Sequence, residues 1–185
     1  MCLLLCVLLS GATTASAFDA TKTAERVAVL RGESDAQIAI ARALRRELRE
    51  RGFDAFDAER TYAELMEDRG AIADYYVEIA YAHPRVEDYG GIGIGGRHAD
   101  VELGIVVSRL NAELRIYDGE TLELLSSENL SKRKTALLPT SVGIGGGSIY
   151  AVLALPLIER AQQRRVARAA ARDAAAMVVD VIRGE

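Results

Sequence analysis

The feature that most constrains the fold is a period-two alternation of apolar residues between positions 101 and 116. In its first half the apolar positions are Val101, Leu103, Ile105 and Val107, and in its second half they are Leu110, Ala112, Leu114 and Ile116. Strict alternation is typical of a β-strand with one face on a core. The pattern slips by one position between the halves, which predicts a β-bulge near Ser108 and Arg109 within one long strand.

Two further segments extend this strand into an antiparallel meander. Asp118-Gly119 is a hairpin turn signal and leads into a strand predicted over Thr121 to Asn129. Before the alternating segment, Tyr75 to Tyr81 is rich in aromatic and β-branched residues, and we expect this strand to close at His83-Pro84. The middle of the chain is therefore predicted to consist of consecutive antiparallel strands.

A strand–helix–strand unit is predicted ahead of the meander. Arg26 to Arg31 is a short β-branched run, which is typical of a buried strand. Ser34 and Gln37 have the S-x-x-Q spacing of a capping box, so an amphipathic helix is expected to begin there. Gly52 stands where a left-handed cap would end that helix, and Phe53 to Ala58 is predicted to return as a second strand.

Two more helices complete the predicted elements. Glu59 to Arg69 is predicted to form a short helix, and Pro156 is suited to the first turn of a final one. Glu159, Asp173 and Asp180 dilute the arginines of the final helix and no aromatic residue lies among them, which is typical of a solvated face. The predicted fold class is α+β (an α/β sandwich). It has a mixed sheet with a βαβ start, an antiparallel meander and a C-terminal helix packed on one face.

Composition excludes several classes of protein. The chain has 185 residues, of which 50% are hydrophobic and 27% charged, and its formal net charge is −4. These values are typical of one globular domain, and they exclude a disordered tail, a collagenous repeat and a polytopic membrane protein. The acidic balance gives no electrostatic reason to expect a nucleic-acid partner.

Residues 1–17 are predicted to be a signal peptide. An unbroken apolar run from Cys2 to Leu9 is followed by Ala15-Ser16-Ala17, and small residues at these two alanine positions are what signal peptidase requires. We expect cleavage between Ala17 and Phe18, leaving residues 18–185 as a single periplasmic α/β domain. The apolar run is too short for a spanning helix, and lipidation at Cys6 is disfavoured because Leu5 is large.

Two glycine-rich segments, residues 89–98 and 142–155, are the candidate interaction surface. The letters G-x-G-x-x-G occur at positions 91–96, but the segment does not lie between a strand and a helix, so dinucleotide binding is not expected. Alternation of isoleucine and glycine places branched side chains on one face and none on the other. The residues predicted to meet a partner or a membrane surface are Ile92, Ile94, Ile144, Ile149 and Tyr150. Flexible loops or bulged strand ends are the alternative interpretation.

No arrangement of residues in the sequence calls for catalysis. His83 and His98 are the two histidines, and His98 with Asp100 provides too few ligands for a metal site. The G-x-S-x-G motif does not occur, and neighbouring carboxylates such as Glu87 and Asp88 point apart on a regular element. We expect no enzyme activity, no metal and no cofactor.

The order of elements resembles a periplasmic α/β domain of Gram-negative envelopes. The residues that carry the resemblance are Arg26 to Arg31, Ala73 to Val77 and the hairpin Tyr117 to Glu123. The domain is the one in curli-secretion lipoproteins, in lipoprotein activators of penicillin-binding proteins, and at the amino terminus of the Tol translocation protein. The chain is also similar to uncharacterised exported families with an Ile/Gly-rich segment before the hairpin. The resemblance implies a non-enzymatic envelope protein that acts through contacts with proteins or the cell wall.

We predict an exported protein that is periplasmic or secreted, and association with the outer membrane is left open. It would act by contact with an envelope protein or the wall. Peripheral membrane contact, including through the arginine-rich final helix, is left open. The alternative is a periplasmic small-ligand-binding or hydrolytic protein with a site near His83 and His98.

Overall fold

A computed structural model describes residues 24–68, 70–95, 99–144, 147–150 and 155–184. Within these ranges the elements follow one another as β1 (Arg26–Val29), α1 (Asp35–Glu50), β2 (Asp54–Asp57), α2 (Tyr62–Asp68), β3 (Tyr75–Gly95), β4 (Ala99–Asp118), β5 (Leu124–Ile144), β6 (Gly147–Tyr150) and α3 (Leu155–Arg183). No helix in the described ranges combines the length and the apolarity needed to cross a membrane.

The strands form one mixed sheet of six strands in the order β2-β1-β3-β4-β5-β6. β1 runs parallel to both β2 and β3, as expected for a β1-α1-β2 crossover unit. The pairs β3–β4, β4–β5 and β5–β6 are antiparallel, as a meander requires. The predicted α+β class, with its βαβ start and meander, is confirmed.

Local sequence signals set the ends of α1. The Ser34 side chain accepts a hydrogen bond from the Gln37 backbone N–H, and the Gln37 side chain accepts one from the Ser34 N–H. This is the predicted capping box, and it satisfies two N–H groups that the first turn would leave unpaired. At the other end, Gly52 has φ +93°, a left-handed conformation that favours glycine after a helix.

The main core lies between the sheet and the helices α1 and α3. Val27, Val77 and Leu114 contribute from the strands, and they pack with Leu44 of α1 and Ala170 of α3. We call this face of the sheet, which on β4 carries Leu110, Ala112, Leu114 and Ile116, the inner face, and the other the outer face. α3, which includes the predicted Pro156 in its first turn, packs on the inner face as expected.

A second, smaller core lies on the outer face near the hairpin. Tyr76 and Tyr117, paired across β3 and β4, are buried there against Leu65 of α2. The Tyr62 ring of α2 stacks on Tyr117 with centroids 4.3 Å apart. α2 therefore covers the opposite face from α1 and α3, and it does so only at one end of the sheet.

β3 does not end at His83-Pro84, so this prediction is wrong. The strand continues to Gly95, and Pro84 pairs with Leu110 of β4. In the described part of the chain β1 pairs with β3 only at Tyr75–Val77, so β3 has become an edge strand by the time it reaches Pro84. A missing N–H costs no ladder hydrogen bond where it faces away from the partner strand. Residues 91–95 of the first glycine-rich segment consequently lie within a strand rather than in a loop.

The bulge predicted at Ser108 and Arg109 is also wrong. Both residues pair in unbroken register, with Val86 and Arg85 on one side and with Lys134 and Arg133 on the other. In the β3–β4 pair the register shifts at Ile79/Tyr81 and at Asp88/Gly91, where β3 supplies the additional residue. In the β4–β5 pair it shifts opposite Glu102/Leu103 and Ile116/Tyr117, where β5 supplies it. β4 keeps one register throughout, and its apolar residues instead change from the inner face to the outer face.

Candidate interaction surface

The far half of β4 carries its alternating apolar residues on the outer face, away from α1 and α3. Ile105 and Leu137 are paired across β4 and β5, and they are 37% and 64% exposed. Large apolar side chains this exposed on adjacent strands are the kind of feature that marks contact surfaces. We call this region, comprising Leu103, Ile105 and Leu137, the apolar strip.

The strand register places most of the sequence-predicted surface residues on this face. Ile92 pairs with Leu103 and Ile94 with Val101, both on outer-face positions of β4. Ile144 pairs with Ala99, and Ile149 pairs with Val142, the partner of Val101, so both are also at outer-face positions. Tyr150 pairs with Ser141 and so occupies an inner-face position. Whether these five residues contact a partner remains a prediction.

A polar belt separates the apolar strip from the Tyr76–Tyr117 core on the outer face. Arg85, Arg109 and Arg133 lie in register across β3, β4 and β5, and Arg109 forms an ion pair with Glu87 at 3.4 Å. In the next row Ser131 Oγ donates a hydrogen bond of 3.0 Å to Asn111 Oδ1. The strip is thus bordered by a row of three guanidinium groups.

The Glu113 carboxylate of this belt is held ionised by its neighbours. The pKa of Glu113 is lowered, mainly because Arg115 donates to its carboxylate over 2.7 Å and secondly because Ser127 donates over 2.8 Å. The pKa of Tyr117 is raised well above its usual value, first by burial and then by the hydrogen bond that its hydroxyl donates to Glu78. The Tyr117 hydroxyl and the carboxylates of Glu78 and Glu113 thus belong to one structural network on the outer face, joined by Arg115.

β5 presents an open backbone edge beside the strip. In the described part of the chain β6 pairs with β5 only at Ser141–Ile144, so residues 124–140 have no strand on that side. The edge carries the consecutive basic residues Lys132, Arg133 and Lys134, of which Lys132 is ion-paired with Asp173 of α3. An unpaired strand edge can accept an added strand from another chain.

The structure describes one of the two histidines of the alternative site. His83 is exposed on the outer face of β3, where it pairs with Asn111. His98 lies outside the described residues, as do the predicted cleavage residues Ala15, Ala17 and Phe18. Among the residues that the structure describes, no group of three His, Cys, Asp or Glu side chains is placed to hold a metal ion.

Comparisons with known proteins found similarity only among solved structures. No protein-family model matches the chain, and no curated protein sequence matches it at the significance required. A minor lipoprotein from Acinetobacter baumannii is similar with a TM-score of 0.49 and 14% identity over 83% of this chain and 91% of that one.

Two further structures are similar at comparable levels. A lipoprotein from Caulobacter crescentus has a TM-score of 0.45 and 14% identity over 86% of this chain and 92% of that one. Uncharacterized lipoprotein B from Nitrosomonas europaea has a TM-score of 0.41 and 14% identity over 88% and 90%. At these values the likeness is one of overall chain course, and the functional argument rests on the residues of this chain.

Sequence reasoning missed Ile105 and Leu137, although a signal for Ile105 was present. The alternation of residues 101–107 is out of phase with that of residues 110–116, and in an unbulged strand this places the two sets on opposite faces. Leu137 stands in a segment with no strong periodicity, and the register with Ile105 is what assigns it to the surface.

Proposed function

We propose that this protein is a non-enzymatic exported envelope protein that acts by protein–protein contact through the apolar strip and the adjoining edge of β5. The observation that carries the proposal is the pair Ile105 and Leu137, exposed side by side on the outer face. Burial of such side chains is favourable by about 25 cal/mol per Å² of apolar surface, so a partner that covers them gains binding free energy.

The residues around the strip favour a particular partner chemistry. Arg133 and Lys134 form no ion pair within the described residues, and they lie on the open edge of β5 next to Leu137. An extended segment added to this edge would face basic side chains at one point and apolar ones a few residues further on. We therefore expect a partner protein that contributes an extended segment containing both acidic and apolar residues.

Export is supported by the sequence of residues 1–17, with its apolar run and the Ala15-Ser16-Ala17 triplet before Phe18. The resemblance to the domain of curli-secretion and penicillin-binding-protein-activator lipoproteins also favours the envelope. A periplasmic or secreted location, with or without outer-membrane association, follows from this part of the proposal. A contact with the cell wall or the membrane surface is the competing way in which the strip could be used.

Site-specific photo-crosslinking in cells tests the proposal. A photoreactive residue at position 137 should give a discrete protein adduct, and the same residue at position 125 should not. Leu125 is the matched control, because it is 46% exposed on the same strand but lies at the hairpin end. The variant Arg133→Glu should reduce the adduct several-fold, since it repels an acidic segment.

The identity of the adduct decides the outcome. Support requires that mass spectrometry maps the crosslink to an acidic, apolar extended segment of an envelope protein and that Arg133→Glu weakens it. Equal labelling at positions 125 and 137, an adduct with lipid alone, or an adduct of twice the chain mass would each contradict a heterologous protein contact.

A further inference from the structure

A cavity of about 620 Å³ lies between the inner face of the sheet and the two helices α1 and α3. Its apolar wall includes Ile38 of α1, Leu110 of β4 and Val166 of α3. The volume is within the roughly 300–1,000 Å³ of typical small-molecule sites. The cavity opens on the opposite face from the apolar strip and shares none of its residues, so it is independent of the function proposed above.

Arginines dominate the charged lining of this cavity. Arg42 of α1 and Arg160 and Arg164 of α3 border it, and none of the three forms an ion pair within the part of the chain that the structure describes. Arg160 and Arg164 are one helical turn apart, a spacing at which like charges destabilise a helix. Asp35 is the acidic residue in the lining, so an anion placed among the three guanidinium groups would relieve their mutual repulsion.

Arg85 and Arg109 also border the cavity, from the strands. Arg109 is already paired with Glu87 at 3.4 Å, and both arginines occupy outer-face register positions. We therefore assign the recognition of an anion to the helix arginines.

Ser108 provides a second, independent indication of a ligand. It is 2% exposed, occupies an inner-face position and lines the cavity. Its hydroxyl has no hydrogen-bond partner among the described residues. Buried hydroxyls are normally paired, because leaving one unpaired forfeits the hydrogen bonds it makes with water. A hydroxyl kept here without a protein partner is available to a molecule in the cavity.

We propose that the cavity binds a small amphipathic anion, with an oxyanion head group and a short aliphatic body. The head group lies between Arg160, Arg164 and Arg42, because guanidinium groups match the geometry of carboxylate and phosphate oxygens. The Ser108 hydroxyl donates a hydrogen bond to the bound molecule. The aliphatic body packs on the apolar wall formed by residues such as Ile38 and Val166.

Isothermal titration of the purified protein with decanoate and with decyl phosphate tests this proposal and distinguishes the two head groups. Arg164→Gln should weaken binding about tenfold, the factor expected when one charge-assisted hydrogen bond is lost. Arg165→Gln is the matched control, because Arg165 is the exposed neighbour on α3 and does not border the cavity. Decylamine, with the same aliphatic body and a cationic head, should not bind.

Two further variants separate ligand binding from structural effects. Ser108→Ala should weaken decanoate binding several-fold while raising the thermal midpoint of the unliganded protein, because it removes an unpaired buried hydroxyl. Ala39→Leu adds volume to the cavity wall and should abolish binding with little change in circular dichroism.

Several results would overturn the proposal. These are absence of binding up to millimolar concentration of both ligands, binding of decylamine as tight as that of decanoate, and equal affinity of the Arg164→Gln and Arg165→Gln variants. Tight binding of inorganic phosphate without binding of either aliphatic ligand would equally contradict an amphipathic ligand. None of these results bears on the crosslink expected at position 137.

Discussion

At the scale of single residues, Gly119 shows how a correct turn prediction can rest on the wrong cause. Asp118-Gly119 begins the hairpin that joins β4 to β5, as predicted. The residue with a positive φ in this hairpin is Leu122, at +60°, and not Gly119. Gly119 is required for space, because its N–H donates to the Asp74 carbonyl over 2.8 Å. A Cβ at this position would overlap the carbonyl oxygens of Ala73 and Asp74.

We expect Gly119→Ala to destabilise the protein by about 1–3 kcal/mol, the usual cost of forcing extra volume into a packed site. Urea denaturation followed by circular dichroism measures the free energy of unfolding. Gly70→Ala is the control, because the nearest atom to a Cβ there is the Asp68 carbonyl oxygen at 3.8 Å. Equal stabilities for the two variants would show that the hairpin can move away from the Ala73 carbonyl at little cost.

The ionised Glu113 carboxylate in the outer-face belt makes the stability of the folded protein depend on pH. Its pKa is lowered by hydrogen bonds from Arg115 and then Ser127, so the ionised carboxylate stabilises the folded state above the ordinary pKa of about 4.3. That stabilisation is lost as the pH falls through the lowered pKa. Glu113→Gln should therefore lower stability at pH 7, and the difference from the unmodified protein should shrink towards pH 3.

Denaturation of both proteins at pH 7 and at pH 3 measures this difference. Glu128→Gln serves as the comparison, because Glu128 is exposed on the neighbouring strand. A Glu113→Gln effect of the same size at both pH values would mean that the carboxylate's charge does not contribute.

At the scale of elements, the sequence was most informative where local signals agree. α1 could be predicted because the capping box at Ser34, the amphipathic pattern and Gly52 all specify the same helix. The end of β3 could not, because the effect of Pro84 depends on whether a strand pairs on its N–H side. Likewise the change of phase at Ser108 could not be interpreted from the sequence alone, because a β-bulge and a change of the apolar face produce the same sequence pattern.

The positions of the predicted surface residues on the sheet followed only in part from the sequence, and their contact with a partner stays a prediction. Ile92 and Ile94 were identified because alternation with glycine leaves one face branched, a property of the local chain. Tyr150 was grouped with them by proximity in sequence, but strand pairing assigns it to the inner face. The cavity was not predicted, because Arg42, Ser108 and Arg164 are brought together only by the packing of α1 and α3 on the sheet.

The element that carries the proposed contact can be tested through β3. The double variant Ile92→Asp and Ile94→Asp introduces two charges at outer-face positions and should abolish association with the envelope partner, because burying an unpaired carboxylate is strongly unfavourable. Circular dichroism should be unchanged. Co-purification after crosslinking from position 137 measures the association, and an unchanged set of crosslinked proteins would argue against the strip.

At the scale of the whole molecule, the sheet has two differently covered ends. Near the hairpin, α2 packs on the outer face and α1 and α3 on the inner face. Towards the far end the outer face carries Ile105 and Leu137 in contact with solvent. The far end therefore presents apolar side chains that the described part of the chain leaves uncovered.

The compartment in which this molecule works gives a further prediction. The protein recovered from fractionated cells should have the mass of a chain that begins at Phe18 and should be found in the periplasmic or secreted fraction. Intact-mass spectrometry of each fraction checks this. A full-length mass in the cytosol would remove the basis for an envelope partner, whereas a mature mass in the membrane fraction would direct attention to lipid contact at the strip.

Because β4 keeps one register throughout, the face on which each of its side chains lies depends on whether its position number is odd or even. Ser108 and Arg109 are the point at which the alternating apolar residues pass from odd to even positions without an additional residue. Inserting one residue there would rotate the far half of the strand by half a turn and move Leu103 and Ile105 to the inner face. During evolution the insertion or deletion of a single codon could therefore bury or expose these apolar side chains without changing any of them.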